Sequence, residues 1–141
     1  MHLQLDDVRN LVVSGRADPQ TGDPELVSAQ YDLSVQACCS LAHTFFDGGY
    51  DVAIDDALEL GAYERVWRPS LAGLEHGMII VLPSLEVTLQ RSRAREKRVR
   101  EDITRRQHVA CTSWSEALRL DTTGMSVSES LAQARARGLI P

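Results

Sequence analysis

Five consecutive apolar residues, Met78-Ile79-Ile80-Val81-Leu82, constrain the fold of this chain more than any other feature. A continuous apolar run of that length suits a parallel strand covered on both faces. Three more strand-like segments end in acids. Leu3 to Leu5 leads into Asp6-Asp7, the stretch from Tyr50 carries Val52-Ala53-Ile54 into Asp55-Asp56, and Leu118 to Leu120 leads into Asp121. Helical patterns lie between them. Asp6 or Asp7 can cap a brief helix carrying Val8, Leu11 and Val12. Asp23-Pro24-Glu25 combines a capping side chain, proline at the first helical position and an acid in the first turn. The helix it starts is expected to reach Phe46, burying Val27, Tyr31, Val35 or Cys38, Ala42 and Phe45, and to stop at Asp47-Gly48-Gly49. Helical stretches are expected from Glu59 to Trp67 and from Pro83-Ser84 into the arginine run. Capping boxes are expected at Ser113–Glu116 and Ser126–Glu129, with a final helix through Leu131 and Ala134 to Gly138. Strands alternating with helices predict a layered α/β domain with a mainly parallel sheet, read as one domain over 1–141.

The chain has 141 residues, 43% hydrophobic and 25% charged, which suits a soluble globular protein. No apolar run approaches the roughly 18–20 residues that span a bilayer. The N-terminus lacks the basic and apolar regions of a signal peptide, so a cytoplasmic location is expected. Cys38, Cys39 and Cys111 are read as reduced, buried thiols. Charge is uneven. Arg91, Arg93, Arg95, Lys97, Arg98, Arg100, Arg105 and Arg106 face only Glu96, Glu101 and Asp102 between positions 91 and 106. That strip is +5 inside a chain of net −5, leaving −10 elsewhere. An acidic body with one basic strip suits a small anionic ligand such as a nucleotide better than broad nucleic-acid binding.

Ligands of parallel α/β sheets bind outside the C-terminal ends of the strands, where both acid pairs fall. Asp55 could assist Mg²⁺, which favours one or two carboxylates plus phosphate oxygens; a helix cap is the plainer reading. Asp6 or Asp7 could act as general base on a hydroxyl and Arg9 could clamp a polar group, against a cap and a surface arginine. Arg91, Arg95 and Arg98 recur at helical spacing and are expected on one face, where an anion would relieve their repulsion. The alternatives are a solvated helix with internal salt bridges, or nucleic-acid contact. The four histidines show no zinc-ligand spacing; His108 is read as a surface residue or an anion contact. Trp67 and Trp114 are read as packing residues.

Four segments in order resemble the P-loop kinase-like nucleoside triphosphatases, the group of small-molecule kinases that includes shikimate and gluconate kinases and chloramphenicol phosphotransferase. His2-Leu3-Gln4-Leu5-Asp6-Asp7-Val8-Arg9 is similar to the family's second strand and D-x-x-R element, and Gly49 to Asp56 to its third strand with a Walker-B-like acid. Leu82 to Arg91, followed by Arg95, resembles the fourth strand leading into a lid, here the basic segment of about 91–108. Leu120 to Ser126 resembles the fifth strand and the loop beside adenine.

The resemblance implies a three-layer, mainly parallel sheet flanked by helices, Mg-ATP as co-substrate, and transfer of the γ-phosphoryl group to a small-molecule hydroxyl. It implies Asp6 or Asp7 as base, Arg9 as substrate clamp, Asp55 beside Mg²⁺, Arg91, Arg95 and Arg98 on phosphates, and Thr123 and Gly124 beside adenine. No G-x-x-x-x-G-K-[ST] phosphate loop occurs, so the central first strand and P-loop of that family are missing. Met1 almost at the start of a strand favours a translation start upstream. A kinase-fold remnant that associates with another chain or with itself through unpaired sheet edges is the second reading. Nucleic-acid binding through 91–106 is the third.

Overall fold

The computed structural model describes residues 1–57, 60–96, 98–115 and 117–140. The chain divides into two compact units, Met1–Glu75 and His76–Pro141. Each is built around one pair of parallel strands joined by a helical crossover, the connection that parallel pairing requires.

In the first unit β1 (His2–Gln4) runs directly into α1 (Leu5–Asn10). After the loop comes α2 (Pro24–Asp47), and then β2 (Ala53–Asp55) pairs parallel to β1, with Leu3 opposite Ile54 and Gln4 opposite Asp55. Asp23 caps α2 as expected, its Oδ1 accepting from the backbone N–H groups of Glu25 and Leu26 at 3.0 Å. Gly49, at φ +85°, takes the left-handed turn that follows the helix. Helical structure resumes as α3 (Leu60–Ala62), a π-helical turn over Tyr63–Trp67, and α4 (Arg68–Ser70). The beginning expected for that stretch, at Glu59, lies outside the described residues. The core joins Leu5, Val35, Cys38, Cys39, Val66 and Trp67. Val35, Cys38 and Ala42 are buried on α2 as the spacing predicts, while Val27, Tyr31 and Phe45 are half-buried.

In the second unit β3 (Ile79–Val81) pairs parallel to β4 (Leu118–Leu120), with Ile80 opposite Arg119. Between them lie α5 (Leu85–Arg93), capped by Ser84, and α6 (Glu101–Thr112). Helix α7 (Val127–Ala136) closes the unit, and Ser126 and Glu129 form the expected capping box. Leu89, Thr104, Trp114, Leu120, Thr122 and Ala134 are its buried residues. Ser113 follows the last turn of α6. The capping box expected at Ser113–Glu116 cannot be followed through, since Glu116 lies outside the described residues. Cys111 is half-buried, unlike the other two thiols.

The expected fold class is corrected here. The strands form two separate two-stranded parallel sheets, not one three-layer sheet of the P-loop kinase type. The physical reason is the length and number of the strands: each has three residues, and among the described residues no fifth strand hydrogen-bonds to both pairs. Helix outweighs strand in each unit. No helix among the described residues is long and apolar enough to cross a membrane.

Candidate functional site

The C-terminal ends of β1 and β2 bring together the acids of the first unit. Because β1 passes into α1 without a loop, Asp6 and Asp7 sit in the first turn of that helix, where its dipole favours negative charge. Arg9 lies one turn on, and its guanidinium approaches Asp6 at 3.4 Å, a loose contact on an exposed carboxylate. Asp55 ends β2. With His2 opposite Ala53, Asp55 shares a face with His2, and its Oδ1 meets the imidazole Nε2. A Mg²⁺ ion at Asp55 would compete with that imidazole. No group of three or more His, Cys, Asp or Glu side chains among the described residues is arranged to hold a metal.

The next residue, Asp56, occupies a more developed environment. Its Oδ2 accepts a hydrogen bond from the Tyr31 hydroxyl at 2.5 Å. The same phenolic oxygen accepts from the indole Nε1–H of Trp67 at 2.9 Å. Trp67 is only 4% exposed, so this chain of donors is anchored in the core. Crowding by protein atoms raises the Asp56 carboxyl above the ordinary carboxylate range, the Asp6 charge adds to this, and the Tyr31 hydrogen bond, the Ala57 backbone N–H and Arg9 oppose it. Asp56 nevertheless remains an exposed residue. The two facts are compatible: crowding thins the hydration of the oxygens without closing solvent access. Tyr31 is pushed far above the usual phenol value, first by burial and then by the Asp56 charge, so it stays a hydrogen-bond donor. Beneath it, Cys38 is pushed up to about 11 by burial, with Asp56 and Asp55 adding to the effect.

In the second unit the side chains expected on phosphates and adenine take other partners. Arg91 donates to Thr122 Oγ1 at 3.3 Å and to the carbonyls of Thr122 and Met125 at 3.1 and 3.2 Å. Its guanidinium therefore pins the loop between β4 and α7. Thr123 Oγ1 accepts from the Ser84 backbone N–H at 2.7 Å, which ties that loop to the start of α5, and Gly124 turns it at φ +69°. His108 contacts the Pro83 carbonyl at 2.9 Å.

Arg95 and Arg98 are not on one helical face with Arg91, because α5 ends at Arg93 and a new helix begins at Glu101. A continuous helix would have concentrated like charges along its surface. Ending it lets Glu101 and Asp102 occupy the favourable first turn of α6. Glu101 bonds to both Arg93 and Arg105 at 2.7 Å, and Asp102 pairs with Arg100. Arg95 and Arg98 are exposed, and Lys97 lies outside the described residues.

Sequence reasoning located Asp6, Asp7, Arg9 and the Asp55-Asp56 pair at strand ends but missed the Trp67–Tyr31–Asp56 chain. One signal was present. A tyrosine on the buried face of a helix needs a partner for its hydroxyl. No protein-family model matches the chain, and no curated protein matches it.

Proposed function

We propose that this chain carries the acceptor-binding part of an ATP-dependent phosphotransferase that acts on a small-molecule hydroxyl. The observation that supports this reading is the convergence of Asp6, Arg9 and Asp56 at the C-terminal ends of two paired parallel strands, the usual ligand position in such sheets. A carboxylate raised above its ordinary value by crowding and still open to solvent suits the acceptance of a proton from a bound hydroxyl. In the reaction, a carboxylate takes the proton as the acceptor O–H bond breaks. The oxygen bonds to the γ-phosphorus, the bridging P–O bond breaks, and ADP leaves. Arg9 orients a polar group of the acceptor. ATP supplies the phosphoryl group as co-substrate, and these 141 residues contain no amide cradle and lysine of the phosphate-loop type for it.

The test separates acceptor from donor. The chain is mixed with glycerol, myo-inositol, gluconate, ethanolamine and serine in turn. Backbone amide shifts report acceptor binding, and ³¹P spectra with Mg-ATP report a new phosphomonoester. Shifts confined to Asp6, Arg9, Tyr31 and Asp56 are the expected result. Absence of shifts and of product across the panel would sink the reading.

A second reading, self-association, is favoured by one observation: among the described residues every strand has a single strand neighbour, leaving one edge of each without a strand partner. Nucleic-acid binding gains no such support: Arg93, Arg100 and Arg105 are paired with Glu101 and Asp102, and Arg91 is held by the loop after β4.

A further inference from the structure

We propose that the outer face of α2 pairs with the same face of a second copy of this chain, the two helices running antiparallel. The pairing goes beyond the acceptor reading and does not depend on it. Helix α2 buries Val35, Cys38, Cys39 and Ala42 on one side. Away from that side, Ala29, Leu33, Ala37 and Leu41 follow at intervals of four, which makes them one ridge on the helix surface. All four are exposed, Leu33 to 61% and Leu41 to 39%. No free charge interrupts this face. Between Glu25 and Asp47 the helix carries only Asp32 and His43 of the acidic, basic and histidine types. Asp32 is held by Arg65 at 2.7 Å, and the His43 ring meets the Ser70 carbonyl at 3.2 Å.

Size and charge select a second copy as the occupant. The ridge alternates small and large residues. Reversing it about its midpoint sets Leu33 opposite Ala37 of the second copy and Leu41 opposite Ala29 of the second copy. Every leucine then meets an alanine, and the contact is the same from either side, as a two-fold pair requires. Interlocking ridges of this kind cross at about −50°, so the acidic ends at Glu25 and Asp47 diverge. The chain carries a net charge of −5, so two copies repel over most approaches. The α2 ridge lets them meet with no like charges opposed and no ion buried unpaired. A nucleic acid or a charged peptide finds no partner group on it. A standard interface takes about 20–30 residues from each side. Helix α2 has 24 residues with one face turned inward, so it supplies fewer and gives a concentration-dependent pair.

Cross-linking with a short bis-maleimide reads the register. In a Cys111→Ser background, which removes the thiol that is not buried, Ala29→Cys and Leu41→Cys are made as separate chains and mixed. The mixture should cross-link, and the yield should rise with protein concentration and with salt, which screens the like net charges. Either chain alone should cross-link far less, because two copies of one such position lie roughly 18 Å apart along the antiparallel axis. Leu33→Glu in both chains should abolish the product, with circular dichroism confirming that the helix is kept. Ala37→Leu sets leucine against leucine and should raise the concentration for half-yield about tenfold through overpacking. Adding Leu33→Ala to Ala37→Leu exchanges the two sizes and should recover the yield. No product in the mixture overturns the pairing. Product as abundant in the single chains overturns the antiparallel register and the proposal with it. Product that survives Leu33→Glu, or that Ala37→Leu leaves unchanged, overturns the ridge as the contact, whatever the acceptor panel shows.

Discussion

Asp56 works against folding when it is ionised. Its carboxyl is raised in the folded chain, so between its unfolded and folded values the native state binds more protons than the unfolded state. Stability contributed by this group is therefore present at low pH and lost as pH rises through the folded value. Asp56→Asn should raise the melting temperature at pH 7, since the amide oxygen still accepts from Tyr31 without a charge to desolvate. The gain should fade toward pH 4, where the wild-type carboxyl regains its proton. An equal effect at both pH values in thermal melts would count against the crowding argument. The thiols give a second test. Cys38 and Cys39 are almost wholly buried and pushed up to about 11 and about 12, chiefly by burial. A thiol reagent at pH 8 should label Cys111 first and reach the other two only after unfolding, and early labelling of Cys38 would contradict the packing of α2. The acid pair itself was legible, since two aspartates after an apolar run mark a strand end. Which of them meets Tyr31 was not, because that depends on the register that turns Asp55 toward His2.

Helix starts could be read from sequence and helix ends less well, for a physical reason. Asp23, Ser84 and Ser126 bond to backbone groups two or three residues away, so the signal is local. The end of α5 at Arg93 depends instead on a balance of charge over some ten residues and on the acids that start α6. Helical spacing alone ran Arg91, Arg95 and Arg98 together. The capping box of α7 offers the cleanest measurement. Ser126 Oγ accepts from the Glu129 backbone N–H at 3.2 Å while the Glu129 carboxylate accepts from the Ser126 N–H at 2.7 Å. Ser126→Ala should cost the second unit about 1 kcal/mol in urea unfolding. Trp114 reports on that unit and Trp67 on the first, so fluorescence of Trp114 in a Trp67→Phe background isolates the effect. A loss below a few tenths of a kcal/mol would mean that the box adds little to a helix held by Ala134 and its neighbours.

For the whole molecule, the alternation of strand and helix was legible, and the pairing of strands was not. Four apolar segments each become a strand close to the expected place, because burial and turn chemistry act over a few residues. Pairing joins residues some forty to fifty positions apart, such as Leu3 with Ile54 and Ile80 with Arg119, and no local pattern encodes it. The outcome is two short parallel sheets, a form that is ordinarily covered on both faces and extended by neighbours. Val81 and Leu118, on β3 and β4, are 60% and 52% exposed. An apolar side chain on a short strand with an unpaired edge favours pairing with another chain. The weight-average mass in sedimentation equilibrium should therefore rise with protein concentration. Val81→Lys should suppress that rise without unfolding the second unit, since the position is exposed and surface changes of this kind stay within about 0.5 kcal/mol. A monomer mass at every concentration would remove self-association from consideration and leave the acids at the ends of β1 and β2 as the feature to pursue.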